Sequence, residues 1–100
     1  MELVLGKKKY TVDVITARKL KQTLAFKKKF EILQAQETDE ERLIDEMLSY
    51  IVNIYSFKKG EEVVKQFTED DILDNLPLGE LNKVFNETVE NVLAVFTEKN

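Results

Sequence analysis

The sequence predicts a mainly α fold, a small helical bundle of three to four helices with an N-terminal β-hairpin, and three observations carry that reading. Apolar residues recur at three- and four-residue steps through most of the chain. Thr16, Thr38 and Thr68 stand where helix N-caps belong. Alternation with a period of two is confined to the first 15 residues.

A chain of 100 residues fits one helical domain, 1–100, and apolar (43%) and charged (34%) fractions of this size mark a globular chain with a small core. The hairpin covers 1–15: Leu3 and Leu5 alternate with outward positions, Gly6-Lys7-Lys8-Lys9 turns the chain, and Tyr10, Val12 and Val14 alternate again. A two-stranded ribbon is marginal in water, so its apolar face is expected on the helices. Thr16 caps a helix over 16–34, with Ala17, Leu20, Leu24, Phe26, Phe30 and Leu33 in one sector and Arg18, Lys21 and Lys28 opposite.

Thr38-Asp39-Glu40-Glu41 has capping-box spacing and opens a helix over 38–56. Leu43, Ile44, Met47, Leu48, Ile51, Ile54 and Tyr55 make its apolar face, and Phe57-Lys58-Lys59-Gly60 ends it. A short helix at 68–76 is written by the Thr68 cap, the acids of its first turn, and Phe67 and Ile72 as a hydrophobic staple. After Pro77, a last helix over 78–97 carries Leu81, Val84, Phe85, Val89, Val92, Leu93 and Phe96 on one face.

The residue inventory excludes much chemistry. With no cysteine there is no disulfide or thiolate, and with no histidine there is no ordinary acid–base group at neutral pH. No catalytic residue, metal ligand or cofactor site is expected. The Glu69-Asp70-Asp71-Asp74 cluster lacks the alternating oxygen ligands and central glycine of a calcium loop, and reads as acids favourable to a helix dipole. Gly6, Gly60 and Gly79 are isolated, so no phosphate-binding loop is present. The apolar start precedes Lys7-Lys8-Lys9, the reverse of signal-peptide order, and is too short to span a bilayer; a cytoplasmic protein is expected.

Net charge is −4 but polarised, with nine Lys/Arg against three Asp/Glu in residues 1–33 and six against sixteen in 34–100. The acidic total argues against a general grip on nucleic acid, although Lys7-Lys8-Lys9 and Lys27-Lys28-Lys29 keep a small nucleic-acid-binding regulator as an alternative. The same polarity favours head-to-tail association of copies, a homo-oligomer.

The order of elements is informative as a whole: Glu2-Leu3-Val4-Leu5-Gly6-Lys7-Lys8-Lys9-Tyr10, then Val14-Ile15-Thr16-Ala17-Arg18 opening a helix, then a strongly apolar helix, then Gln66-Phe67-Thr68-Glu69-Asp70-Asp71-Ile72-Leu73-Asp74. This resembles the tail assembly chaperones of long, noncontractile-tailed (siphovirus-type) bacteriophages and of prophages of Gram-positive bacteria. The resemblance implies a helper that binds the tape measure protein in the host cytoplasm, keeps it soluble while the tail tube assembles, and is absent from the mature virion. It also implies a longer, frameshifted form that recruits the tail tube protein, which the adenine-rich codons available to Glu98-Lys99-Asn100 permit. A structural tail component is the remaining alternative. Tyr50, Ile54, Tyr55, Phe57, Val63 and Val64 are the expected partner-binding residues, on the reasoning that a helical client needs an apolar groove.

Overall fold

The computed structural model describes residues 1–37 and 39–98. Its elements run β1 (Glu2–Leu5), β2 (Lys8–Thr11), α1 (Ala17–Ala35), α2 (Glu40–Ile54), β3 (Phe57–Lys59), β4 (Glu62–Val64), α3 (Glu69–Asn75), a 3₁₀ turn (Leu78–Glu80) and α4 (Leu81–Glu98). The fold is the expected one, mainly α with an N-terminal antiparallel hairpin, and β3–β4 is a second hairpin that the sequence reading did not contain.

In the first hairpin Leu3 pairs with Tyr10 and Leu5 with Lys8, so only Gly6-Lys7 form the turn, and Lys8 and Lys9 belong to β2. Gly6 has φ 63°, the backbone that a two-residue turn of this kind reserves for glycine at its first central position. Leu3 and Leu5 are buried while Val4 faces solvent. The alternation expected through Val14 stops at Val12, which is buried and donates its N–H to the Met1 carbonyl (3.0 Å). Val14, past that bond, is 69% exposed.

A Cβ on Gly6 would lie 3.0 Å from Asn75 Oδ1, at the end of α3. Gly6→Ala therefore combines an unfavourable φ with a crowded contact. It is expected to cost about 1–2 kcal/mol, read as a lower urea midpoint at unchanged slope.

α2 packs against α1, α3 and α4 and is buried almost all round in its second half, through Met47, Leu48, Tyr50, Ile51, Val52 and Ile54. These meet Leu3, Leu5 and Val12 of the hairpin, Phe67, Ile72 of α3, and Phe85 and Val92 of α4. The expected Thr38 cap lies outside the described residues; within them, Asp39 is the N-cap and its carboxylate accepts from the Glu41 N–H (3.0 Å). Thr68 and Asp71 form a complete capping box on α3.

α1 is capped by Thr16, whose hydroxyl accepts from the Lys19 N–H. Its inward face differs from the expected one: Leu20, Phe26, Phe30 and Leu33 turn to the core together with Thr23, which is 0% exposed, whereas Leu24 is 50% exposed. A threonine fits there because its hydroxyl is satisfied locally, donating to the Lys19 carbonyl (2.9 Å) and accepting from the Tyr50 hydroxyl (2.8 Å). Thr23→Val should strand the buried Tyr50 hydroxyl and cost about 1–3 kcal/mol in a denaturation experiment, while Thr23→Val with Tyr50→Phe should recover part of the loss.

Phe26, Phe30, Tyr50 and Phe85 form an aromatic cluster where α1, α2 and α4 meet. Ring centroids lie between 4.7 Å (Phe26–Tyr50) and 5.7 Å (Tyr50–Phe85) apart. Three phenylalanines and a tyrosine are thus core, which fixes the crossing of the three long helices.

Candidate functional site

α2 ends at Ile54 and not at Ser56, because its end is closed locally. The Tyr55 N–H bonds to the Ile51 carbonyl, the Ser56 N–H to that of Asn53, and the Ser56 hydroxyl to that of Val52 at 2.7 Å. Lys58, Lys59 and Gly60, read from sequence as a helix terminus, instead enter the second hairpin. Phe57 pairs with Val64, Lys58 with Val63 and Lys59 with Glu62, around a turn in which Gly60 has φ 67°.

This hairpin walls one side of a cleft of about 600 Å³. The extended segment Thr11–Thr16 forms the facing wall, the first turns of α1 contribute Arg18, Lys19 and Gln22, and the end of α2 contributes Asn53, Tyr55 and Ser56. Gln66 ties the parts together, its side-chain amide donating to the Thr11 carbonyl (2.9 Å) and the Tyr55 carbonyl (2.7 Å). One residue thereby fixes β2's exit, α2's end and the segment after β4 relative to one another.

Of the six residues expected to bind a partner, Tyr55, Phe57 and Val63 line this cleft. Phe57 is 48% and Val63 63% exposed, so both offer carbon to a partner, whereas Tyr55 is buried and serves as floor. Val64 is half-buried. Tyr50 and Ile54 face inward, Tyr50 in the aromatic cluster and Ile54 fully buried, because α2 is surrounded on both flanks by α1, α3 and α4. Sequence reasoning missed Val14, Arg18, Lys19 and Gln22. An apolar Val14 stranded between the hairpin and the Thr16 cap was the available signal.

The electrostatics are one-sided. Arg18, Lys19 and Lys58 line the cleft against Asp13 alone. The two ion pairs among the described residues, Lys9–Glu2 (2.9 Å) and Lys29–Glu46 (3.0 Å), lie elsewhere. Burial pushes the Lys19 ammonium below its ordinary pKa, as expected for a cation that has lost water without gaining a carboxylate.

Burial likewise raises the Tyr55 phenol to about 12, with the carboxylates of Glu2 and Glu87 adding to the shift, and burial raises Tyr50 while its bond to Thr23 opposes. A phenol whose folded pKa exceeds its unfolded value holds its proton more tightly in the native state. The stability it contributes is complete below pH 10 and is lost as pH climbs toward 12. Alkaline titration should therefore show stability falling by on the order of 2–3 kcal/mol across that window, and Tyr55→Phe should flatten the fall.

A second, smaller recess of about 320 Å³ lies between the start of α1 and the end of α4, lined by Ile15, Leu20, Val92, Val95 and Phe96 among others. Among the described residues no cluster of three or more carboxylates is placed to hold a metal ion, and no helix is long and apolar enough to cross a membrane. What the first cleft presents is a concave surface of exposed aliphatic and aromatic carbon with cations in its lining.

A family model described as phage tail chaperone protein matches residues 2–100. No curated protein and no solved structure matches the chain.

Proposed function

The chain belongs to the phage tail chaperone family, and from that premise we propose that it binds the tape measure protein and keeps it soluble while the tail tube assembles. The observation that supports this reading most is the cleft between the hairpins, where Phe57, Val63 and Val14 keep 48%, 63% and 69% of their surface exposed after folding. Carbon left in water beside a concave wall favours association with another apolar surface. A tape measure protein, long and rich in amphipathic helix, presents such surface and aggregates without cover.

In this proposal the protein acts in the host cytoplasm and does not remain in the virion. It works as a homo-oligomer, for which the unpaired outer edges of both two-stranded ribbons offer joining surfaces. A longer frameshifted form would add the segment that recruits the tail tube protein.

Co-expression tests the central claim. The tape measure protein produced alone should collect in the pellet and produced with this chain should stay in the supernatant and co-purify with it. A tape measure protein equally insoluble in both cases removes the proposal. Mass spectrometry of purified virions checks the exit from the particle, and the nucleotide sequence around codon 98 checks the longer form.

A further inference from the structure

The cleft is not electrically neutral, and its charge bears on what fits it. Its exposed carbon comes from Val14, Phe57 and Val63, and its cations are Arg18, Lys19 and Lys58. None of the three cations has an ion-pair partner among the described residues, and Asp13 is the one carboxylate in the lining. Two of them, Arg18 and Lys19, come from the basic first third of a chain whose net charge is −4. Lys19 sits in the first turn of α1, where the helix dipole already disfavours a cation and where burial has removed part of its water. A segment that brought carboxylates to this rim while covering the carbon between the cations would relieve both penalties.

We infer that the cleft selects acidic amphipathic segments, in which an apolar side chain is flanked by Asp or Glu. The chaperone reading enters only in naming the tape measure protein as the source of such a segment. The chemistry of the cleft alone supports the charge preference. Complementary charge of this kind sets partner choice and association rate more than raw affinity, so discrimination between segments is the quantity to measure.

Two fluorescently labelled helical peptides with the same leucine face, one with glutamates and one with lysines at the flanking positions, provide the probes. Titrated into the full chain at low salt, the glutamate peptide should bind at least about 10-fold more tightly, and the advantage should shrink as ionic strength rises. Arg18→Glu with Lys19→Glu should invert the preference toward the lysine peptide. Both new acids stand in the first turn of a helix, where they favour its dipole, so the variant is expected to fold. Lys58→Glu, on the other wall, should weaken the glutamate peptide independently.

Equal affinity for both peptides, no binding of either, or a preference that survives the charge reversal overturns the inference. So does a wild-type oligomer that dissolves in step with glutamate-peptide binding, since the occupant is then the acidic surface of a second copy. Co-expression with the tape measure protein separates this inference from the chaperone reading. If the charge-reversed chain keeps that protein as soluble as the wild type does, the charge preference is wrong and the chaperone stands. If the wild type fails to keep it soluble, the chaperone reading falls and the peptides still decide the charge preference.

Discussion

Phe85→Ala is expected to remove about 3–5 kcal/mol of stability. The Phe85 ring stands 5.5 Å from Phe26, 5.4 Å from Phe30 and 5.7 Å from Tyr50, so from α4 it contacts rings of α1 and α2 at once. Removing it leaves a void that the three other rings, two held by α1 and one by α2, can close only in part. A domain of this size has about 5–15 kcal/mol in total, so the variant gives up a large share of its stability. Leu24→Ala is the matched comparison. Leu24 is 50% exposed on the same helix as Phe26, and its truncation should stay within about 0.5 kcal/mol. Urea midpoints for the two variants decide the matter. A loss below about 1.5 kcal/mol for Phe85→Ala would mean that the aromatic cluster does not organise the bundle.

The contrast between Leu24 and Thr23 shows where sequence reading reached its limit. Apolar periodicity placed α1 on its correct side through Leu20, Phe26, Phe30 and Leu33. It then chose the leucine over the threonine one position before it, because a hydrophobicity pattern does not register that a hydroxyl can be paired inside the fold. Helix starts were legible where a side chain writes them into the local chain, as Thr16 and Thr68 do. The end of α2 is not, because two backbone N–H bonds from Tyr55 and Ser56 and one serine hydroxyl close it, and none of these writes a helix end into the sequence. The three-residue strands that follow are too short for alternation to show, so Gly60 was read as a helix terminator when it is the turn of a hairpin.

The cleft was half legible for a related reason. Phe57 and Val63, two of the expected partner-binding residues, line the cleft and are exposed. Tyr50 and Ile54, expected beside them, lie on the inward face of α2, where helix rotation separates a surface from a core. The opposite wall comes from residues about 40 positions earlier and is brought there by the two bonds of Gln66, a tertiary arrangement that no local pattern encodes.

That division between core and cleft makes the remaining prediction specific. Phe57→Ser with Val63→Ser is expected to abolish retention of the tape measure protein in the supernatant while leaving the melting temperature within a few degrees of wild type. Both side chains are substantially exposed in the free protein, so folding recovers little from them. A client that covers them recovers far more. At roughly 25 cal/mol per Å², full burial of a phenylalanine and a valine is worth about 3–4 kcal/mol, a hundredfold or more in affinity. Serine leaves the charges of Arg18, Lys19 and Lys58 in place, so the result reports on carbon alone. Ile54→Ala supplies the opposite outcome: a fully buried side chain is truncated, stability falls by about 2–5 kcal/mol, and retention falls only because less of the chain is folded. If the serine variant held the client as well as wild type does, exposed carbon in the cleft would have no part in binding, and the client would have to be sought on another face, such as the recess beside Ile15 and Phe96.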